Sequence, residues 1–128
     1  MAEAIRILIV DDQRRTRRSL RALLSTAFPS IQMLEAENGI EALNRAEDWL
    51  PDIVVMDVRM PEVDGIAVTR LMKRQRPDVK VIVLSMCAEY HAASLEAGAD
   101  AFLSKGEPLE RLLAVLSEIV SQREAEQL

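Results

Sequence analysis

The feature that most constrains the fold is a repeated unit: a short apolar run followed by a helical pattern, five times along the chain. The apolar runs cover residues 5–10, 31–36, 53–56, 79–84 and 101–103. Three of these runs are rich in Val and Ile and almost without charge, as strands covered on both faces should be. The run 31–36 is more mixed in polarity, which predicts a peripheral strand. Strands that alternate with helices in this way form right-handed βαβ units around a parallel sheet.

The stretches between the runs predict five helices, over residues 14–28, 40–48, 65–75, 88–97 and about 109–120. Leucines share one face of the first helix and arginines cover the other. Asn38 can cap the second helix, in which Ile40 and Leu43 are predicted to face inward. Gly98 suits a left-handed cap at the end of the fourth helix. The elements together predict one α/β domain over residues 1–128, a doubly wound parallel sheet of flavodoxin-like (βα)5 type with strand order 2-1-3-4-5.

Composition excludes several classes of protein. With 128 residues, 49% of them hydrophobic, the chain has the size and the core of one ordinary domain. One cysteine and one histidine exclude an internal disulfide framework and a Cys/His zinc site. The net charge of −5 argues against direct nucleic-acid binding by this domain. No apolar run approaches the roughly 18–20 residues of a membrane span, and the N-terminus lacks a signal-peptide layout, so we expect a cytoplasmic domain without membrane contact.

Chemically functional side chains follow four of the five apolar runs. The first run ends in Asp11-Asp12, the third in Asp57 and the fourth in Ser85, and the fifth precedes Lys105. Parallel sheets bind ligands at the carboxyl ends of their strands, so we expect these groups to meet at one edge. Three gathered carboxylates repel one another unless a cation neutralises them. Oxygen ligands without Cys or His select Mg²⁺, or Mn²⁺, over zinc.

A carboxylate at such a site can act as a nucleophile and form an aspartyl-phosphate. Asp57 is the best candidate because it ends the central and most apolar run. In this interpretation Asp12, with Asp11, holds the metal, while Lys105 balances the added charge and Ser85 hydrogen-bonds a phosphoryl oxygen. The reaction needs in-line positioning and charge neutralisation more than an acid–base apparatus.

The sequence resembles the CheY-like receiver domain of bacterial response regulators, over residues 5 to about 120. The motifs that carry the resemblance are VDD at 10–12, VMDVRMPEVDG at 55–65, VLSM at 83–86 and GADAFLSK at 98–105. The resemblance implies that Asp57 accepts a phosphoryl group from a sensor histidine kinase, a phosphotransfer protein or a small phosphodonor. The implied metal is Mg²⁺, and its implied ligands are Asp11, Asp12, Asp57 and the backbone carbonyl of Arg59.

The same resemblance implies a switch. Ser85 matches the switch hydroxyl, and Phe102 matches the switch aromatic, which turns inward when the hydroxyl engages the phosphoryl group. Phosphorylation would then shift a two-state equilibrium and remodel the face formed by the fourth helix, fifth strand and fifth helix. Such a domain is a signalling module, and not a turnover enzyme. Dimerisation on phosphorylation, through the last two helices, is left open.

This sequence departs from the family pattern at two places. Gly106 follows Lys105, where the family usually has a proline in a cis peptide. Only 20 positions separate Ser85 from Lys105, which predicts a shortened fourth helix or preceding loop. The residues around Ser85 and Lys105 most resemble those of receiver domains that precede a LuxR-type (NarL-type) helix-turn-helix domain. We therefore expect control of transcription through a DNA-binding domain or partner outside this chain, whose length leaves no room for an output domain.

The arginines of the first helix, among them Arg14, Arg15 and Arg18, form a solvated face or a docking surface for a histidine kinase, and DNA binding is the least favoured of the three interpretations. Tyr90 is predicted to face solvent or a partner. The domain could be a degenerate receiver that binds proteins without phosphorylation, although the intact acidic cluster argues against it. A dehalogenase-like phosphatase would need an aspartate where Arg59 stands, and a dinucleotide-binding domain would need a Gly-rich loop after the first strand.

Overall fold

The five apolar runs form one parallel sheet in the part of the chain that our computed structural model describes, residues 4–60 and 62–126. Its strands are β1 (Arg6–Val10), β2 (Gln32–Ala36), β3 (Ile53–Asp57), β4 (Lys80–Ser85) and β5 (Ala101–Ser104), in the order β2-β1-β3-β4-β5. The helices are α1 (Arg14–Ala27), α2 (Gly39–Trp49), α3 (Gly65–Gln75), α4 (His91–Glu96) and α5 (Leu109–Glu126). The predicted doubly wound sheet and its strand order are confirmed.

Burial along the strands follows their place in the sheet. Every residue of β3 is buried, because helices cover both faces of this central strand. Four of the five residues of β2 are partly or fully exposed, as the mixed polarity of its run predicts for an edge strand. α1 and α5 cover one face of the sheet, and α2 and α3 cover the other. The pairs Val10↔Met56 and Asp57↔Leu84 set the ends of β1, β3 and β4 nearly level at the carboxyl edge.

The prediction that Ile40 faces inward is wrong. Ile40 is 51% exposed, and Ala42 is fully buried instead. α2 lies so close to α3 that a Cβ added at Gly39 would stand 2.8 Å from a methyl group of Val68. The small side chains on this face of α2 permit the close approach, and the larger isoleucine points to solvent. Asn38 does cap α2, since its side chain accepts a hydrogen bond from the Glu41 amide at 2.8 Å.

The fourth helix is shorter than the predicted range 88–97. A 3-10 turn, Ala88–Tyr90, precedes the six residues of α4. Gly98 has a φ of +107° beyond the end of α4, in agreement with the predicted left-handed position. The short spacing between Ser85 and Lys105 is therefore accommodated in α4 and the turn before it. Among the described residues, no helix combines the length and the apolar character needed to cross a membrane.

Candidate functional site

Three carboxylates meet at the carboxyl edge of the sheet. Asp11 follows β1 and is 2% exposed, Asp57 ends β3 and is 7% exposed, and Asp12 lies at the surface. One oxygen from each carboxylate lies within 4.8 Å of the others. The structure therefore brings together the three acidic residues that the sequence analysis singled out. Their oxygens are hard ligands in a converging arrangement, which fits Mg²⁺ or Mn²⁺.

Lys105 reaches this acidic cluster from the end of β5. Its Nζ lies 2.9 Å from Asp11 Oδ2 and 3.3 Å from Asp57 Oδ1. Burial alone would lower the pKa of Lys105, but its contacts with Asp11 and Asp57 outweigh burial and hold that pKa above its ordinary value. The lysine therefore stays cationic. One positive charge beside three carboxylates leaves an excess of negative charge, which a divalent cation would neutralise.

The Asp57 carboxylate is held at an electrostatic cost. Burial raises its pKa above the ordinary value of 3.8, the charge of Asp11 raises it further, and Lys105 offsets only part of this. An ionised group under such conditions gains from any cation that approaches it. The fit to a metal thus rests on two observations, the oxygen-only set of ligands and the residual negative charge of the cluster.

Ser85, at the end of β4, is 1% exposed. Its Oγ accepts a hydrogen bond from the Cys87 amide at 3.1 Å and donates one to the Cys87 carbonyl at 3.4 Å. The hydroxyl is therefore bonded to the loop that follows β4. The Lys105 amide donates to the Ser85 carbonyl at 2.9 Å. This hydrogen bond joins the start of the loop between β5 and α5 to the end of β4.

Three further predicted site residues lie in β5 or in the segments that follow β3 and β4. Phe102 is half-buried in β5, and Tyr90 is half-buried in the 3-10 turn before α4. Arg59 is exposed two residues after Asp57, and the part of its backbone carbonyl as a metal ligand stays a prediction. The peptide between Lys105 and Gly106 is trans. Asp11, Asp12, Asp57 and Lys105 therefore lie together, and the parts of Phe102, Tyr90 and Arg59 stay predictions.

Two hollows open beside the cluster. A groove of about 330 Å³ lies between α1 and the start of α5, and its lining includes Arg15, Leu20, Lys105 and the half-exposed Leu109. A second hollow, of about 430 Å³, is lined by Asp12, Val58, Arg59, Met60, Asp64, Ile66 and Tyr90. The first is largely apolar with a basic rim, and the second is lined by Asp12, the exposed carboxylate of the cluster. Each hollow thus borders the site, the first at Lys105 and the second at Asp12.

Sequence reasoning missed the part played by Gly65. A Cβ added at this residue would lie 2.0 Å from the carbonyl oxygen of Asp57, a distance that no side chain can occupy. The Gly65 amide also donates to the Val58 carbonyl at 2.8 Å, and Asp64 caps α3 through the Ala67 amide. α3 therefore begins directly against the backbone of Asp57. The only signal in the sequence was the Asp-Gly pair that closes the 55–65 motif.

Sequence reasoning also misjudged Arg17. The arginines of α1 were predicted to share an exposed face, and Arg14, Arg15 and Arg18 are indeed exposed, but Arg17 is only 8% exposed. Its Nη1 donates to the carbonyl of Asp11 at 2.7 Å, and its Nε donates to Glu35 on β2 at 3.0 Å. Arg17 thus holds the backbone of Asp11 in place through its carbonyl. Nothing in its sequence context distinguished it from its neighbours.

Replacing Arg17 with methionine is expected to destabilise the fold by about 2 kcal/mol, because the buried Asp11 carbonyl and Glu35 lose a charged donor. Methionine keeps much of the apolar stem, so packing changes little. Urea unfolding followed by circular dichroism measures the loss. The matched control is Arg18→Met on the exposed face, which should stay within about 0.5 kcal/mol of wild type. Equal effects of the two substitutions would contradict the structural part assigned to Arg17.

Comparison with known proteins agrees with this geometry. Residues 7–117 match the family described as the response regulator receiver domain. The chain is 42% identical over 112 residues to the response regulator MprA of Mycobacterium sp. (strain KMS), covering 86% of this chain and 48% of that protein. It is 34% identical over 115 residues to the response regulator GacA of Pseudomonas viridiflava, covering 88% of this chain and 53% of that protein. The chain thus spans about half the length of these curated relatives.

Solved structures show the same fold. A CheY-like receiver domain protein from Methanospirillum hungatei JF-1 superposes with a TM-score of 0.86 at 28% identity, covering 97% of this chain and 99% of that one. A LuxR-family two-component response regulator from Aurantimonas sp. SI85-9A1 gives 0.85 at 27% identity, with 94% and 88% covered. The response regulator TrrA from Thermotoga maritima, solved in complex with Mg²⁺ and beryllofluoride, gives 0.82 at 29% identity, with 90% and 98% covered.

Proposed function

Since this chain belongs to the response regulator receiver domain family, which serves phosphorylation-mediated two-component signalling, we propose that it is a switch that accepts a phosphoryl group on Asp57. The observation that carries the proposal is the contact set of this carboxylate. Asp57 is buried, lies 3.3 Å from the Lys105 ammonium, and shares an acidic cluster with Asp11 and Asp12. This arrangement combines a nucleophile, Asp57, with the fixed positive charge of Lys105 and with an acidic cluster that fits a divalent cation.

The proposed chemistry transfers the phosphoryl group from a phosphohistidine. An oxygen of Asp57 bonds to phosphorus as the bond from phosphorus to the imidazole nitrogen breaks, and that nitrogen takes a proton from solvent. Lys105 pairs with the charge that arrives, and Ser85 leaves Cys87 to donate to a phosphoryl oxygen. Attack of water on phosphorus later restores the carboxylate and releases phosphate. The domain is therefore a self-phosphorylating and self-dephosphorylating switch, and not a turnover enzyme.

The same proposal assigns a metal to the acidic cluster. When bound, Mg²⁺ neutralises charge on the phosphoryl oxygens and on the carboxylates that surround them. Mn²⁺ has the same preference for oxygen and could replace it. The residues that would hold the ion are Asp11, Asp12, Asp57 and, through its backbone carbonyl, Arg59. The converging oxygens and the raised pKa of Asp57 support this assignment.

The proposed donor is a sensor histidine kinase or a phosphotransfer protein. Response regulators are phosphorylated by histidine kinases, and the groove between α1 and α5 offers apolar surface beside Lys105. Arg15 lines this groove, and Arg14, Arg15 and Arg18 are all exposed on α1, where they would contact an acidic partner. Tyr90 lines the second hollow. Small phosphodonors would approach the acidic cluster from that second hollow, which Asp12 lines. We also propose that the domain is located in the cytoplasm, where it would meet such a kinase.

The output is proposed to lie outside this chain. MprA and GacA are about twice as long as the matched region, and the Aurantimonas structure is of a LuxR-family regulator, so control of transcription through a DNA-binding domain or partner fits. Direct nucleic-acid binding by this domain is not part of the proposal, and dimerisation on phosphorylation is left open. A degenerate receiver that acts without phosphorylation is less well supported, because Asp11, Asp57 and Lys105 are all present and in contact.

The test is phosphorylation of the purified chain by a small phosphodonor such as acetyl phosphate. With Mg²⁺ we expect a mass increase of one phosphoryl group that is stable in acid and lost in base, and with EDTA we expect none. Borohydride reduction followed by peptide mapping should assign the group to Asp57. No modification, or modification at another residue, would refute the proposal. Asp48→Asn, an exposed change on α2, is the control that should behave as wild type.

Replacing Lys105 with methionine is expected to slow phosphorylation by about 100-fold, because the incoming charge loses its fixed counterion at 3.3 Å from Asp57. The measurement is the initial rate of acetyl phosphate modification by mass spectrometry. Lys80→Met is the matched control: this lysine pairs with Asp100 at 3.8 Å near the surface, where an ion pair contributes little. A Lys105 variant as fast as the Lys80 variant would show that the contact has no part in the reaction.

A further inference from the structure

Asp12 is the exposed member of the acidic cluster, whereas Asp11 and Asp57 are buried. Both carboxylate oxygens of Asp11 are engaged, since Oδ1 accepts from the Gln13 amide and Oδ2 accepts from Lys105, each at 2.9 Å. Asp12 is thus the carboxylate that a cation in solvent reaches most readily. Because packing does not enclose Asp12, the direction of its side chain depends on the backbone that carries it.

The backbone at Asp11 is held from two sides. Its amide donates to the Ala36 carbonyl on β2 at 3.1 Å, and its carbonyl accepts from Arg17 Nη1 at 2.7 Å. That carbonyl and the amide of Asp12 belong to one planar peptide group. Arg17 therefore fixes the plane of the peptide that leads into Asp12.

Glu35 on β2 holds the guanidinium of Arg17 in this position. Its Oε1 lies 3.0 Å from Arg17 Nε, and its Oε2 lies 3.1 Å from Arg21 Nη1. Arg17 is buried, so loss of either partner would leave a charged donor unsatisfied. Glu35 also balances part of the positive charge, which by itself would oppose a cation at the neighbouring cluster. The guanidinium is thus a directed donor whose charge is partly compensated.

We propose that Arg17 is a positioning residue of the metal site: by holding the peptide between Asp11 and Asp12, it keeps the Asp12 carboxylate directed at a cation shared with Asp57. The inference rests on the proposed function, which assigns Mg²⁺ to this cluster. Groups that orient metal ligands without touching the metal commonly change metal affinity by about 10- to 100-fold. The sign of the effect distinguishes positioning from electrostatics. Removal of the positive charge of Arg17 would by itself strengthen cation binding, whereas loss of positioning should weaken it.

The experiment is a Mg²⁺ titration of the full chain without phosphodonor, followed by the amide resonances near the acidic cluster in ¹H–¹⁵N NMR spectra. The proteins compared are wild type, Arg17→Met, Glu35→Gln, Arg18→Met and Val120→Ala. We expect the dissociation constant for Mg²⁺ to rise about tenfold in Arg17→Met. A smaller rise is expected in Glu35→Gln, where the guanidinium keeps its carbonyl partner but loses the carboxylate that aims it. Arg18→Met removes an exposed arginine of the same helix and should not weaken binding.

Val120→Ala separates positioning from stability. Val120 is buried in α5, shortly before Arg123, which pairs with Asp52 ahead of β3 and so marks the opposite edge of the sheet. Deletion of its buried methyl groups lowers the stability of the fold. The affinity for Mg²⁺ should nevertheless stay at the wild-type value, because the deletion lies far from the cluster.

A second readout needs no metal. In Arg17→Met the ¹⁵N heteronuclear Overhauser effects of the Asp12 and Gln13 amides should fall, because the peptide before them loses its fixed partner, and in Val120→Ala they should keep wild-type values. Unchanged Overhauser effects in Arg17→Met, an affinity that is unchanged or higher there, or an equal loss of affinity in Val120→Ala would overturn the positioning role alone. A wild type whose resonances do not respond to Mg²⁺ refutes the metal assignment in the proposed function, and this inference with it.

Discussion

Replacing Asp57 with asparagine is expected to abolish phosphorylation and, at the same time, to stabilise the fold. The amide lacks the ionised oxygen that attacks phosphorus, so acetyl phosphate should leave no base-labile group on the variant. Loss of reaction alone could also come from misfolding. Misfolding would lower stability, whereas loss of the charged carboxylate should raise it. Measuring phosphorylation and stability together therefore separates loss of the nucleophile from misfolding.

The gain in stability follows from the raised pKa of Asp57. Burial and the charge of Asp11 raise the pKa of this carboxyl in the folded protein above its ordinary value of 3.8, so the folded state holds the proton more tightly than the unfolded state does. Its contribution to stability therefore falls as pH rises from about the ordinary value through the raised folded pKa. The destabilisation by ionised Asp57 is therefore complete at pH values above the raised folded pKa and absent below the ordinary pKa. Asparagine carries no such charge at any pH.

The measurement is thermal unfolding of wild type and Asp57→Asn between pH 4 and pH 8 with EDTA present. We expect the variant to be more stable at neutral pH by on the order of 1 kcal/mol, or about 4 °C, with a difference that shrinks toward pH 4. Mg²⁺ should also reduce the difference, since it stabilises only the ionised cluster. Asp48→Asn, at an exposed position of α2, should show neither effect. An Asp57 variant less stable than wild type at every pH would contradict the electrostatic account.

Gly65→Ala is expected to be the most destabilising conservative substitution near the site, at about 3 kcal/mol. The added Cβ would stand 2.0 Å from the carbonyl oxygen and 2.8 Å from the carbonyl carbon of Asp57. Both are backbone atoms of a fully buried strand, so neither can move aside as the end of a flexible side chain would. α3 must shift instead, and the carboxylate of Asp57 shifts with the backbone that carries it. Phosphorylation should therefore slow together with the loss of stability.

Gly106→Ala is the matched control, because it is the same substitution at another glycine beside the site. A Cβ there would meet only Ser104 Oγ, at the ordinary contact distance of 3.6 Å. We expect its free energy of unfolding in urea to stay within about 0.5 kcal/mol of wild type. The two variants should thus differ by several kcal/mol in spite of identical chemistry. If Gly65→Ala unfolded at the same urea concentration as Gly106→Ala, α3 would not be seated against Asp57 as described.

Local patterns were sufficient for the architecture. Alternation of apolar runs with helical periodicity identified the five strands, and strand polarity alone identified β2 as an edge. The two errors of burial share one cause. Ile40 and Arg17 were placed by the periodicity of their own helices, but their burial depends on the neighbouring element: Gly39 lets α2 approach α3, and Glu35 on β2 draws Arg17 inward. Periodicity identifies a face and cannot say how closely the next element lies.

The sequence by itself determined that Asp11, Asp12, Asp57, Ser85 and Lys105 stand at the ends of strands, because strand ends can be read from hydrophobic runs and βαβ units have one hand. In a parallel sheet those ends share an edge, so convergence of the group followed without coordinates. Only the tertiary structure decided the contacts within and around it: Lys105 between two carboxylates, Gly65 against the Asp57 backbone, and Arg17 between Glu35 and the Asp11 carbonyl. Such contacts depend on distances of a few ångströms between segments remote along the chain, which the spacing of residues does not encode.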